Sequence, residues 1–330
     1  MTKKIRWGII STANIGVDKV IPALQKSKHN QVVAIASRQI NRATEWAQKL
    51  SIPKAYGSYE ELFADADIDA VYNPLPNHLH IPYSVAAVNA GKHVLCEKPL
   101  GLNLADVVPL IAAAEKNPSI KIMEAFMYRF HPQWQKAKQL VDTDAIGKLR
   151  NIQAYFQYNN RDDFNIRNKA DWGGGALLDI GCYPISASRL LYGREPERVF
   201  AQITPWPGSE VDCLVNGIMD FGDALSSFAV STKIESGQMV LASGEAGSLQ
   251  LNIPFSPDPD IIQELILKQD KQSEIVNIAA ANQFSEMGDA FALSILNNTS
   301  VPTPLADALA NMRVIDAMFE SAKKQVWVNI

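Results

Sequence analysis

Over the first 125 residues, short apolar runs alternate with amphipathic stretches. Residues 5–10 predict a strand. Residues 14–24 predict a helix, with Ile15, Ile21 and Leu24 spaced for one face. Residues 31–36 predict a second strand and 41–50 a second helix. A strand at 69–73, a helix at 82–90, a strand at 93–96, a helix at 104–116 and a strand at 120–125 complete the series. Strands alternating with helices imply a parallel sheet with right-handed crossovers. Ligands bind such doubly wound sheets beyond the carboxyl ends of the strands.

The pattern changes after Ala125. Ile152, Ala154, Phe156 and Tyr158 alternate with Asn151, Gln153, Tyr155 and Gln157, as in a half-exposed strand. Strand-like runs follow at 199–203, 211–221, 224–234, 239–243 and 248–253. Gly222-Asp223 and Glu245-Ala246-Gly247 read as hairpin turns. Helices are expected at 176–191, 283–296 and 305–324. The chain is therefore read as α/β: an N-terminal Rossmann domain (1–125) with a doubly wound parallel sheet, and a C-terminal α+β domain (126–330). The second domain is built on a large, mostly antiparallel open sheet. An open, partly apolar face needs covering, which predicts a homodimer or homotetramer through that sheet.

Bulk composition narrows the function. A chain of 330 residues fits roughly two domains. A net charge of −4 gives no basic field for nucleic acid or an anionic membrane. No run approaches the roughly 18 apolar residues of a membrane span. The start MTKKIRWGIIST has no long apolar signal core. Three scattered cysteines (Cys96, Cys182, Cys213) without a CxxC argue for reduced thiols, and so for a cytoplasmic protein.

The first strand-to-helix turn reads WGIISTANIG. A dinucleotide fingerprint is G-x-G-x-x-G; aligned on Gly16, its slots hold Ser11, Ala13 and Gly16, two of them small residues in place of glycine. The turn opens the first βα unit, where a helix N-terminus faces an anion, so Ser11, Thr12, Ala13, Asn14 and Ile15 are candidate cofactor contacts. Roughly 20 residues on, NAD enzymes place an acidic residue for the ribose 2′-hydroxyl. Here stand Ser37 and Arg38, with Arg42 a turn later. A hydroxyl and guanidinium groups suit a 2′-phosphate, so NADP is favoured, with NAD as the alternative. Further on, GKHVLCEKPLG ends an apolar run in Glu97-Lys98-Pro99, charges that belong at a strand's open end. In DWGGGALLDIGCYP, the glycines 173–175 read as a flexible hinge leading into a helix. On that helix Asp179 and Tyr183, four apart, share a face. His78 and His80 lack a cysteine or carboxylate cluster, so no metal site is expected. No GxSxG or P-loop occurs.

Together these segments resemble the Gfo/Idh/MocA family of nicotinamide-dependent oxidoreductases. The resemblance runs the whole length. It rests on the turn 11–16, NPLPNHLH (73–80), CEKPL (96–100), EAFMYRFHP (124–132) and GGGALLDIGCY (173–183). The wording is most similar to the branch of NADP-dependent D-xylose dehydrogenases and dimeric dihydrodiol dehydrogenases. The resemblance implies that Lys98 is the catalytic lysine and touches the nicotinamide ribose, that Pro99 is cis, and that Glu97 lines the cofactor site. It implies that Leu75, Asn77 and His80 lie along the ribose and nicotinamide. Tyr183 takes the slot of the general acid/base, Asp179 that of the supporting carboxylate, and Arg167 that of a substrate-side arginine. Trp172, beside the glycines, is within reach of the cofactor. Gln39 stands where many relatives have Asp.

The implied chemistry is hydride transfer between nicotinamide and a carbinol of a sugar or cyclic polyol, for example an aldose going to its lactone. A base must lie within hydrogen-bond reach of the hydroxyl. A free phenol titrates near ~10, and a nearby ammonium lowers that value. Lys98 and Tyr183 are expected to reach one bound carbinol, with Asp179 holding Lys98 or the substrate in register. Two alternatives stand beside this. One is trans-dihydrodiol oxidation or keto-compound reduction within the family. The other is a non-catalytic NADP-binding sensor, against which intact Lys98, Asp179 and Tyr183 speak.

Overall fold

A computed structural model describes residues 3–330; Met1 and Thr2, on which the leader reading and the first expected domain open, lie outside the described residues. The chain forms two compact units. One ends at Met127 and takes in Asn282–Leu309; the other covers Tyr128–Ala281 and Ala310–Ile330.

The first unit is built on six parallel strands: β1 (Ile5–Ile10), β2 (Asn30–Ala36), β3 (Lys54–Tyr56), β4 (Ala70–Asn73), β5 (His93–Cys96) and β6 (Ile122–Glu124). Their order is β3-β2-β1-β4-β5-β6. The order reverses between β1 and β4, and it is there that a doubly wound sheet opens a crevice at its strand ends. Between the strands run α1 (Ile21–Lys26), α2 (Ile40–Lys49), α3 (Tyr59–Ala64), α4 (His80–Asn89) and α5 (Leu104–Lys116). A π-turn, Gly16–Val20, leads into α1. The strands are buried nearly throughout, as a sheet covered on both faces requires. Trp7 is fully buried, and its indole N–H donates to Asn30 at 2.7 Å. The C-terminal helix Gln283–Leu296 packs on this unit: Phe291 meets Trp7 at a 5.7 Å ring separation. A Cβ on Gly288 would sit 2.4 Å from Leu24, so that helix and α1 approach through a glycine.

The second unit carries nine strands: β7 (Leu149–Asn159), β8 (Arg198–Thr204), β9 (Leu214–Asp220), β10 (Leu225–Ser231), β11 (Lys233–Gly244), β12 (Gly247–Leu251), β13 (Gln263–Gln269), β14 (Gln272–Ile278) and β15 (Val328–Asn329). Their order is β14-β13-β12-β11-β7-β10-β9-β8-β15. Only β7 and β10 pair in parallel. On the inner face, α6 (Pro132–Asp142) and α7 (Cys182–Tyr192) cover Ile152, Ala154, Val240 and Val230. The outer face presents a row of paired residues across the strands. It runs Ile275, Ile266, Gln250, Leu241, Gln153, Ser227, Ile218 and Phe200. Ile275 is 56% exposed and Leu225, near the row's end, 48%.

Candidate active site

The first unit collects the candidate cofactor residues at the carboxyl ends of β1, β2, β4 and β5. Ser11 follows β1 with φ +99°, the conformation a fingerprint glycine ordinarily supplies. Its hydroxyl accepts from Ala13 N at 3.0 Å and holds the turn. Asn14 is exposed, Ser11, Ala13 and Ile15 are half-buried, and Thr12 is buried. Gly16 itself is not sterically required, since a Cβ there meets nothing closer than 3.6 Å. The close approach under the sheet falls on Gly8, where a Cβ would lie 2.6 Å from Leu62. At the end of β2, Ser37 is buried and Arg38 exposed. Arg42 reaches back to the first turn, donating from Nε to Thr12 Oγ1 at 2.6 Å. A strand order that reverses at β1, a left-handed turn residue and two arginines beside them fit a dinucleotide with an extra phosphate.

The charged end of β5 is clamped on every side. Tyr72 donates to Glu97 Oε1 at 2.7 Å, and Lys98 N lies 3.3 Å from Glu97 Oε2. The Lys98–Pro99 peptide is cis. Leu100 N donates to the buried Glu124 at 2.8 Å. His80 closes the clamp: Nδ1 lies 2.8 Å from Pro99 O and Nε2 2.7 Å from Leu75 O. His80 is 1% exposed; with one N–H when neutral, it donates to one of these two carbonyls and packs against the other. Burial pushes its pKa down to about 4, against the pull of the two carbonyls. Asn77 and Lys98 are half-buried, and Leu75 is buried.

In the second unit, a π-turn (Leu177–Gly181) runs into α7 and carries Asp179; Tyr183 follows on α7. Asp179 is 9% exposed among buried Leu177, Leu178 and Ile180. Its Oδ2 accepts from Tyr158, at the end of β7, and from Arg167 Nε at 3.1 Å. The carboxylate holds the Arg167 guanidinium above its ordinary range. Arg167 uses only Nε for this. Its terminal nitrogens take no protein partner among the described residues, and 42% of its side chain is exposed. The Tyr183 ring is 4% exposed inside an aromatic box. Phe255, Phe156 and Tyr128 lie 5.3, 5.5 and 5.8 Å from it, centroid to centroid. Phe255 is held through its neighbour Pro254, whose carbonyl accepts from Trp134 Nε1 at 2.7 Å. Trp172 is exposed on the loop that carries Arg167.

The triple glycine is packed where a flexible hinge was expected. A Cβ on Gly174 would lie 2.5 Å from Arg167 O, and Gly175 N donates to that same carbonyl at 2.9 Å. Tyr158, Tyr128, Phe156 and Phe255 were not singled out as site residues from the sequence. For Tyr158 and Phe156 the signal was present, because at spacing two they share the strand face of Ile152 and Ala154. Among the described residues, no group of three or more His, Cys, Asp or Glu is arranged to hold a metal ion.

Residues 5–126 match the model of an oxidoreductase family with an NAD-binding Rossmann fold, and residues 134–250 match the GFO/IDH/MocA C-terminal domain. The chain is 37% identical to a D-xylose 1-dehydrogenase (NADP(+)) of Haloferax volcanii, across 96% of this chain and 97% of that one. It is 36% identical to the trans-1,2-dihydrobenzene-1,2-diol dehydrogenase of Mus musculus, across 77% and 76%. Among solved structures it is similar to an aldose-aldose oxidoreductase from Caulobacter crescentus complexed with glycerol. There the TM-score is 0.93 at 26% identity, covering 99% of this chain and 100% of that one.

The His80 brace makes a pH prediction. An unfolded histidine titrates near 6.5, and this one near 4 when folded. The contribution of neutral His80 is present above pH ~6.5 and is lost as pH falls toward ~4. The full shift corresponds to about 3 kcal/mol. Urea unfolding at pH 7 and pH 4.5 should show wild type losing more stability than His80→Asn. Identical losses in both proteins would refute the neutral brace.

Proposed function

Because the chain belongs to the Gfo/Idh/MocA oxidoreductase family, we propose that it is an NADP-dependent dehydrogenase of a sugar or cyclic polyol. In this reading residues 1–125 bind the cofactor, and the domain from 126 onward binds substrate. The observation that carries it is the second unit's constellation. An anchored carboxylate (Asp179), a boxed phenol (Tyr183) and an arginine with an open fork (Arg167) lie along one helix start and the loop before it. Bound NADP supplies the hydride acceptor or donor. Lys98 hydrogen-bonds the reacting hydroxyl, its backbone held by Glu97, Glu124 and His80. Glu97, Leu75 and Asn77 line the cofactor; Ser37, Arg38 and Arg42 take the 2′-phosphate, and the turn 11–15 the pyrophosphate. Trp172 reaches the cofactor from its loop. Tyr183 carries the hydroxyl proton, Asp179 keeps Arg167 aimed, and Arg167 donates to substrate oxygens.

A second reading within the family, oxidation of an aromatic trans-dihydrodiol, is favoured by Phe164 (91% exposed) and Trp172, two open aromatic surfaces on the Arg167 loop. No helix among the described residues is long and apolar enough to cross a membrane. Cys96, Cys182 and Cys213, all buried and none in a disulfide among the described residues, support a reducing, cytoplasmic setting. The partly apolar row on the outer face of the nine-stranded sheet supports a homodimer or homotetramer formed face to face.

Three outcomes test this. Absorbance at 340 nm with NADP⁺ over pentoses, hexoses, inositols and dihydrodiols should reveal a turned-over substrate. On it, Lys98→Ala and Tyr183→Phe should each lose about 10²- to 10⁴-fold in kcat, while NADP binding persists. Near-normal turnover by Lys98→Ala would end the assignment, and tight NADP binding with no turnover would favour a sensor. Arg42→Ala should weaken NADP⁺ far more than NAD⁺; equal losses would make the 2′-phosphate reading wrong. Light scattering should give an oligomer that Leu241→Glu dissociates, whereas a monomeric wild type removes the face-to-face interface.

A further inference from the structure

We propose that Asp212 is a positioning residue for the reaction: from a distant loop it caps the helix start that carries Asp179 and Tyr183, and so fixes their register. The proposal rests on the roles assigned above to those two residues.

The helix has no cap of its own. It is preceded by Gly173, Gly174, Gly175 and Ala176, none of which has a side-chain acceptor, and no local side chain bonds its first amides. Helix starts leave amide hydrogens that need acceptors. Asp212 supplies two from across the sequence. Its main-chain carbonyl accepts from Ala176 N at 2.7 Å, and its Oδ2 accepts from Leu177 N at 2.6 Å. Leu177 is two residues before Asp179, so the capped amide and the anchored carboxylate belong to one turn.

The third glycine of the motif exists for this contact. Gly175 has φ +115°, and a Cβ there would lie 2.1 Å from Asp212 Oδ1. Only glycine lets the carboxylate close on the helix start. A carboxylate also suits the positive end of the helix dipole. Burial, with Asp179 as a like charge, pushes its pKa up to about 6, so the protein holds an acid where an uncharged cap would ionise nothing. What places the carboxylate and the phenol is the pair of short bonds that Asp212 accepts from Ala176 N and Leu177 N, because a helix start held at two successive amides cannot shift its register.

The test compares Asp212→Ala, Asp212→Asn and Asp212→Glu with wild type and Tyr183→Phe, using NADP⁺ and D-xylose or whichever compound of the panel wild type oxidises. Asp212→Ala should lower kcat by about 10- to 100-fold with the KM for NADP⁺ little changed. Asp212→Asn keeps an acceptor for Leu177 N and should recover most of the loss. Asp212→Glu keeps the charge but drives an extra methylene toward Gly175, and should behave like the alanine variant; if alanine at 212 does not fold, this variant carries the test. Wild-type kcat in Asp212→Ala or Asp212→Glu, with Tyr183→Phe inactive, overturns the positioning role and leaves the catalytic reading intact. If Tyr183→Phe is itself active, or no compound is oxidised, the catalytic reading fails and a ¹³Cζ-tyrosine spectrum decides. The Tyr183 resonance, identified by its loss in Tyr183→Phe, should move in Asp212→Ala and stay in Asp212→Asn. An unmoved resonance in Asp212→Ala overturns the proposal.

Discussion

A carboxylate placed among leucines and isoleucines survives only if donors surround it, and Asp179 is such a group. Its needs organise one end of the second unit. Tyr158 must stand at the end of β7, and Arg167 must come in on the loop after it. That loop is in turn pinned: Lys233 donates to Asn160 O at 2.7 Å and to Asn168 Oδ1 at 3.0 Å. The glycines that follow let the chain fold back against Arg167 O before the helix begins. Remove the buried charge and none of these constraints has a reason.

The first unit obeys the same rule by a different route. The interior of a parallel sheet covered on both faces takes no charges, so Glu97, Lys98 and Arg38 collect where the strands end. At β5 the backbone is locked through Glu97, Glu124 and His80, while the Lys98 side chain leaves from a half-buried position. A fixed main chain gives a side chain at the rim a defined point of departure.

Long, strongly periodic elements were legible in the sequence. The strand 93–96 and the helices 104–116, 283–296 and 305–324 are found at the residues expected. What the sequence hid has physical causes. β3 has three half-buried residues at a sheet edge and no apolar run to mark it. α3 is six residues long, and its only signature is the Ser58–Glu61 capping pair. The β13–β14 hairpin turns through Asp270 and Lys271 at φ +47° and +66°, without the glycine or asparagine that flags such turns. α6 is marked in the sequence only by the proline at its start, a weak sign for an eleven-residue helix with few apolar residues. In the candidate site, Lys98 stood out as a charge ending an apolar run and Asp179 and Tyr183 as a carboxylate and a phenol on one helix face, while their roles were implied by the family resemblance. Phe255 and Asp212 did not stand out. Their contacts span about a hundred residues and thirty-five residues respectively, and neither breaks a local pattern.

Asp179 and Tyr183 are held in place by different means. Asp179 is already committed to a tyrosine and a guanidinium, and moving it would release both. Tyr183 is held by faces and edges of other rings, which fix its plane through packing. The one hydroxyl in that box, on Tyr128, pairs with Ser186 at 2.7 Å. The ring is thus restrained by packing, and the carboxylate by hydrogen bonds. Asp179 is therefore the hydrogen-bonded anchor of this helix start, and Tyr183 the residue that ties it to the aromatic box.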